Sequence, residues 1–288
     1  MSSIKKITIN DESYPTLLKQ IFTPPKELYV LGNLEKEEKN PLAVVGTRLP
    51  SSYGKAICYS LVKELAARGI TIISGLAKGI DGIAHEAALD AHGKTIAVLG
   101  SGLNVLYPSI HKKLAEEIVG RGGALVSEYP PDTPPDHWQF PARNRIIAGL
   151  SQATLVIEAP KKSGALITAF FALNEGREVL SVPGEINKEN SGGTNNLIKL
   201  GAKPVTQAQD VLEIFGLETK LDQKEIIKPD SKEEEILLKI LKPDESIHVD
   251  KLTELSKLLP SAVLSTLTVM EINKKIKNLG QGFYILNL

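Results

Sequence analysis

From Leu42 onward the chain repeats one pattern: a short apolar run, a turn, then a stretch with apolar residues at helical spacing. The runs are Leu42-Ala43-Val44-Val45-Gly46, Thr71-Ile72-Ile73-Ser74-Gly75, Thr95-Ile96-Ala97-Val98-Leu99-Gly100, Ala124-Leu125-Val126-Ser127, Ala153-Thr154-Leu155-Val156-Ile157, Glu178-Val179-Leu180-Ser181-Val182 and Lys203-Pro204-Val205. They are continuous rather than alternating, which marks strands covered on both faces of a parallel sheet. Helices are predicted over roughly Ser51 to Arg68, up to Ala91, up to Arg121, and from near Ala165 and Thr194. Strands and helices in alternation, joined by right-handed crossovers, give an α/β fold with an open, doubly wound, mostly parallel sheet over residues 41–217.

Ahead of this series, residues 1–40 form an N-terminal segment. Tyr14-Pro15 and Thr23-Pro24-Pro25 are breakers around a short helix, and Glu27 to Gly32 reads as a strand closed by a turn. Beyond it, residues 218–231 alternate acids with lysines and carry Pro229, as a linker does. Residues 232–288 then offer three helices, Lys232 to Leu241, His248 to Leu258 and Pro260 to Ile272, and a hairpin over 275–286. Three helices and a hairpin make a small winged-helix domain. Its recognition-helix candidate, Pro260 to Ile272, contains no Lys or Arg, and eight lysines balance eight acids from Ser231 to Leu288. A winged helix that reads duplex DNA ordinarily has a basic face.

The strands end in turns rich in glycine and small polar residues: Gly46-Thr47-Arg48, Ser74-Gly75, Gly100-Ser101-Gly102, Ser163-Gly164 and Ser191-Gly192-Gly193-Thr194-Asn195. In this architecture they share the carboxyl edge of the sheet, where ligands bind. Backbone N–H groups at such turns and at helix N-termini attract anions. Gly100 to Val105 lacks the third glycine of a dinucleotide fingerprint, and no GK[ST] phosphate loop exists. Arg48, Lys78, Arg143, Arg145, Lys161 and Lys162 accompany the turns, which points to several phosphates rather than one. Lys161 and Lys162 fit a solvated pair as well as a contact.

Phe140-Pro141-Ala142-Arg143-Asn144-Arg145-Ile146-Ile147 combines two guanidinium forks with an apolar run. Pro141 suits a helix's first turn, which places Arg143, Asn144 and Arg145 near the positive end of its dipole. That placement is unfavourable unless an anion lies close, and guanidinium binds phosphate through paired N–H groups. The alternative is an exposed, solvated pair, or one arginine holding the loop Pro130 to Pro135.

The composition narrows the partners. The 34 basic and 34 acidic residues cancel, so an anion site must be a local patch. At 288 residues the chain accommodates one large domain, or one large and one small. Cys58, the single cysteine, excludes an internal disulfide and fits a reducing compartment. No apolar run approaches membrane-spanning length, so a cytoplasmic protein is expected. The histidines at 85, 92, 111, 137 and 248 show no metal-ligand spacing and no clear nucleophile partner, so neither cofactor nor catalytic residue is expected. His85 reads as a packed or capping residue.

Taken together, Val44-Val45-Gly46-Thr47-Arg48, Ser74-Gly75-Leu76-Ala77-Lys78-Gly79-Ile80-Asp81, Ser127-Glu128-Tyr129-Pro130, Phe140 to Arg145, Ser163 to Thr168, Val182-Pro183-Gly184 and Gly192-Gly193-Thr194-Asn195 resemble the DNA-processing protein A (DprA/Smf) family, in family order from about residue 12 to 215. The resemblance implies an extended Rossmann-like fold that dimerises and binds single-stranded DNA. It also implies help in loading the RecA recombinase on incoming DNA during natural transformation, without catalytic chemistry. It implies a DNA pocket at the strand ends with Arg48 as the GxR arginine and Phe140 as the aromatic that meets a base. Gly46, Thr47, Ser74, Gly75, Lys78, Arg143, Asn144, Arg145, Lys161, Ser163, Gly164, Thr168, Gly193, Thr194 and Asn195 complete the expected site. His137 falls where some members carry a pocket lysine. No counterpart of the N-terminal helical domain of many members is expected.

The sheet and turns also resemble the LOG-type phosphoribohydrolases, which cleave nucleoside monophosphates with a glutamate in PGGxGTxxE. Here Ser163-Gly164-Ala165-Leu166-Ile167-Thr168-Ala169-Phe170-Phe171 places apolar residues where that carboxylate belongs.

Overall fold

The computed structural model describes residues 3–217, 229–242, 246–273 and 275–286. They divide into two compact units, Met1–Leu217 and Glu218–Leu288. In chain order the first unit runs β1 (Lys5–Thr8), α1 (Thr16–Lys19), β2 (Glu27–Gly32), β3 (Pro41–Val45), α2 (Ser52–Ala67), β4 (Thr71–Ser74), α3 (Ile80–Asp90), β5 (Thr95–Leu99) and α4 (Lys112–Gly120). It continues with β6 (Ala124–Ser127), α5 (Gln139–Gly149), β7 (Ala153–Val156), α6 (Gly164–Asn174), β8 (Glu178–Ser181), α7 (Gly192–Lys199), β9 (Lys203–Pro204) and α8 (Ala208–Leu212). The second unit holds α9 (Lys232–Ile240), β10 (Ile247–His248), α10 (Val249–Ser256), α11 (Pro260–Ile272), β11 (Ile276–Gly280) and β12 (Phe283–Leu286).

The nine strands of the first unit form one sheet in the order β1-β2-β6-β5-β4-β3-β7-β8-β9. From β6 to β9 every pairing is parallel; β2 joins β6, and β1 joins β2, antiparallel. Residues 1–40, set apart in the sequence reading, thus contribute two strands to the main sheet. β1 carries two exposed lysines on an edge strand, so no apolar run announces it.

The apolar runs face both ways, as strand pleating dictates. Ala43 and Val45 pack with Ile146 and Ile147 of α5 and Ala169 of α6. Leu42 and Val44 pack with Leu61 and Leu65 of α2 and Ala84 of α3. β3 lies entirely within the protein, and so do β4 and β5. The chain runs outward from β3 through β4 and β5 to β6, then returns to β7 on the other flank of β3. The crevice between the ends of β3 and β7 is therefore the point at which an open α/β sheet takes a ligand.

In the second unit Leu237, Leu252, Val263, Leu267 and Met270 of the three helices close on Ile276. β10, β12 and β11 form a three-stranded antiparallel sheet. β10 is an addition to the expected hairpin. Its two half-buried residues are too few to leave a pattern. Leu264, Val269 and Ile272 of α11 remain 50%, 51% and 73% exposed, so its solvent face mixes these apolar side chains with Ser261, Ser265, Thr268 and Glu271 and carries no cation. The expected linker falls, over 218–228, outside the described residues.

Candidate nucleic-acid interface

A cavity of about 350 Å³ opens at the β3–β7 crevice. The turn after β3 supplies Gly46, Thr47 and Arg48, the turn before α6 supplies Pro160, Lys162, Ser163 and Gly164, and α5 forms the floor. Phe140, Arg143, Asn144 and Ile147 of α5 all line it. Their spacing of three, four and seven residues puts them on one helical face.

α5 begins at Gln139, two residues earlier than Pro141 implies. Gln139 fixes this start by accepting the Asp136 N–H through Oε1 at 2.7 Å. Pro141 is then the third helical residue, where a missing N–H still breaks no intrahelical bond. Arg143 and Asn144 consequently lie in the second turn, away from the dipole's positive end.

Helical rotation separates the two arginines. Arg143 is buried at 4% exposure, and its Nη1 donates to the carbonyls of Gly75, at 2.7 Å, and Val98. Its Nε donates to Asn144 Oδ1 at 3.2 Å, and Asn144 Nδ2 in turn donates to Gly164 O at 3.2 Å. Arg145 points elsewhere and pairs with Glu128 at 2.6 Å. The expectation of two phosphate forks side by side is corrected accordingly: one guanidinium ties the ends of β4 and β5 to α5, and the other is spent on a carboxylate. Residues two apart on a helix do not share a face.

Arg143 has a buried acidic neighbour. Burial pushes the Asp81 carboxyl above its ordinary range, opposed by the Arg143 charge and by the N–H of Gly75, which Oδ2 accepts at 3.1 Å. Burial also lowers Arg143, to about 10, with Asp81 acting in the opposite direction. Gly75 is required beside them, because a Cβ there would lie 2.6 Å from three guanidinium atoms.

Arg48 is exposed, with its guanidinium 5.7 Å from the centre of the Phe140 ring. Its loop is pinned from two sides. Thr47 N–H donates to Glu158 O at 2.7 Å, and Ile80 N–H donates to Thr47 O at 3.2 Å. Gly79, at φ 82°, touches the same loop: a Cβ on it would lie 2.8 Å from Arg48 Cα. No residue with a side chain fits that backbone and that space. Glu158, buried at the end of β7, accepts from Ser51 N at 2.9 Å and Ser51 Oγ at 2.6 Å. Ser51 in turn caps α2 by accepting the Gly54 N–H.

Across the crevice Ser163 caps α6 by accepting the Ala165 N–H at 3.3 Å, and the N-terminal residues Gly164 and Ala165 face the cavity. The backbone there carries partial positive charge. Thr168, 1% exposed, and His137, exposed, complete the lining among the expected residues.

Other expected residues lie outside it. Ser74 Oγ donates to Val44 O at 2.6 Å and braces β3 against β4. Lys78 is exposed in the following turn. The Gly193-Thr194-Asn195 turn is consumed by internal bonds: Gly193 N–H to Ala159 O, Ser181 Oγ to Thr194 O, and Asn195 with both backbone groups of Gly184. Lys161 runs over Gly192. Lys162 lines the cavity in its place, and Asp81, absent from the expected site, lines it as well. The sequence signals for Asp81 are its place at the end of the Ser74-to-Asp81 motif and its position in the first turn of a helix that follows a glycine.

His85 packs, as expected: it is fully buried, with Nδ1 at 2.7 Å from Thr95 Oγ1. Among the described residues no group of three His, Cys, Asp or Glu could hold a metal, and no single helix is long and apolar enough to cross a membrane.

Over residues 5–216 the sequence matches the family described as DNA recombination-mediator protein A, and over 223–282 it matches the DprA winged helix domain. It is 49% identical to Protein Smf of Escherichia coli K12 across 73% of this chain and 57% of that protein. It is 43% identical to DNA processing protein DprA of Bacillus subtilis, across 73% and 71%. The chain thus spans little more than half of the Escherichia coli relative. Among solved structures it is similar to DNA processing protein A of Streptococcus pneumoniae, at TM-score 0.69 and 45% identity over 73% and 74% of the two chains. The Helicobacter pylori protein of the same name matches at TM-score 0.65 and 32% identity over 75% and 98%; its structure is described as giving insight into a unique single-stranded DNA binding mode.

Proposed function

This chain belongs to the DNA recombination-mediator protein A family, and from that membership we propose that its larger unit binds single-stranded DNA at the β3–β7 crevice. The observation that carries this reading is the pairing of Arg48 with Phe140 at the rim of that crevice, facing the open N-terminus of α6. A guanidinium and a helix N-terminus suit phosphate, while an aromatic ring suits a base of any identity. The single-stranded DNA named for the Helicobacter pylori relative supports the same assignment. Gly46, Thr47, Arg48, His137, Phe140, Asn144, Ser163, Gly164 and Thr168 are the proposed contacts. Arg143, Ser74, Gly75, Gly193, Thr194 and Asn195 act by shaping the loops.

The protein in this reading performs no chemistry on the strand. It works in the cytoplasm, protecting incoming DNA in natural transformation and loading the RecA recombinase on it. It acts as a homodimer, and Ile167, Phe170 and Leu173 of α6, exposed by 38%, 60% and 54%, give one apolar stripe suited to a second copy. Phe170→Glu should then yield the monomer mass in light scattering.

Salt-dependent titration against single- and double-stranded DNA tests the central claim. Single-strand affinity should be the higher and should fall with salt, with a slope reporting a handful of phosphates. Tighter binding to duplex overturns it.

A further inference from the structure

We propose that the bound strand leaves the crevice toward β6, over a row of exposed and half-buried aromatic rings in which Tyr107 is a second base platform beside Phe140. This rests on the single-strand reading of the crevice and adds a direction to it.

The sheet order places the ends of β3, β4, β5 and β6 in succession along one edge, since these strands are all parallel. Arg48 follows β3. Tyr107 lies in the loop after β5, 48% exposed, its ring centre 5.5 Å from that of Phe140 and its plane inclined by 37°. At that spacing no base fits between the rings, so each offers its outer face to a different base. Trp138 is 60% exposed and meets Tyr129, which follows β6, edge-on at 5.9 Å. The indole N–H already donates to Asp136 Oδ2 at 2.9 Å, which leaves the face of the ring as its unused surface.

The frame under Tyr107 is fixed. Gly102 N–H donates to Thr133 O at 2.9 Å, Asn104 N–H to Pro131 O at 2.8 Å, and Asn104 Nδ2 to Asp132 Oδ1 at 2.7 Å. The proline-rich loop therefore holds the Tyr107 loop, and a platform so held loses little entropy when a base stacks on it.

The other exit is unsuited to a polyanion. Beyond β7 a second cavity, of about 620 Å³, presents Glu158, Glu185 and Glu189 against Lys188. The glutamates there repel phosphate; the β5–β6 side has exposed acids of its own, Asp132 and Asp136, but these already accept from Asn104 and Trp138, and its several rings offer stacking surface that any base can use.

Binding of oligothymidylates of about four and about twenty nucleotides, which bracket the span of one small single-strand fold, tests the path. Tyr107→Ala should weaken the long oligomer about tenfold while the short one and the salt slope stay as in the parent protein, because a base contact and no phosphate contact is lost. Tyr107→Phe, which keeps the ring, should recover the loss; Tyr107→Leu, which keeps bulk without a π face, should not. Oligomers carrying 5-iododeoxyuridine should cross-link to the peptide containing Tyr107. Unchanged long-oligomer affinity in Tyr107→Ala, or cross-links confined to the Glu185–Glu189 side, overturns the path. If Arg48→Ala abolishes binding while Tyr107→Ala does nothing, the crevice stands and the path falls. Absence of single-strand binding by the parent protein overturns both.

Discussion

Arg143→Ala should destabilise the larger unit rather than merely loosen DNA. The side chain is buried, and its Nη1 serves the carbonyls of Gly75 and Val98, which lie inside the protein. Each carbonyl left without a partner costs about 1–3 kcal/mol. Asp81, itself buried, also loses the one cation that opposes its desolvation. The two carbonyls together put the loss at about 2–6 kcal/mol. At about 2–4 °C per kcal/mol for a unit of this size, the melting midpoint should drop by about 4–24 °C. Calorimetry or urea unfolding measures it. Asp81→Asn in the same protein should recover part of the loss, since the orphaned charge goes with it. An unchanged midpoint accompanied by lost single-strand affinity would refute the reasoning and return Arg143 to the DNA-contacting face.

Arg48→Ala should behave in the opposite way, weakening single-strand binding by about 1–3 kcal/mol with no change in the melt, because the guanidinium is exposed; filter binding and calorimetry read the two. Acid stability should depend on His85, whose burial, with His111 and Arg143 nearby, lowers it from 6.5 to about 3. The unfolded chain takes up that proton first, so stability is full above about pH 6.5 and is lost toward pH 3 at up to about 1.4 kcal/mol per unit. Urea unfolding of His85→Gln across that window should show a shallower fall, and an identical slope contradicts the assignment. Deletion after Lys228 should leave single-strand affinity within about threefold, since the second unit's charges cancel; a tenfold loss, about 1.4 kcal/mol, with the dimer intact shows that the tail binds DNA directly.

The fold was legible wherever burial on two faces left a run of apolar residues. Leu42 to Val45 and Thr95 to Leu99 could hardly be anything but central parallel strands, and Ser51 caps the helix where expected. β1 was not legible, because an antiparallel edge strand needs one apolar residue, Ile7, where a central strand needs five. In the site, Gly46-Thr47-Arg48, Phe140 and Ser163-Gly164 come together as their turns predict. Arg143 misled for a physical reason. Arginine is so rarely buried that its presence beside a glycine-rich edge reads as an anion contact, and only tertiary placement shows that Gly75 exists to admit it. Glu158 left a faint mark, an apolar run that ends on a carboxylate, which an isolated sequence does not distinguish from a solvated strand end.

The contact between Gly79 and the Arg48 loop constrains how this surface can evolve. The two turns belong to different strand–helix units, yet they meet through backbone alone. Any side chain at position 79 acts as a lever on residues 47 and 48, so the turns can diverge only as a pair. Selection for altered ligand preference at Thr47 or Arg48 should therefore succeed in libraries that hold Gly79 constant. Libraries that vary it should return glycine there, or compensating changes in the other turn.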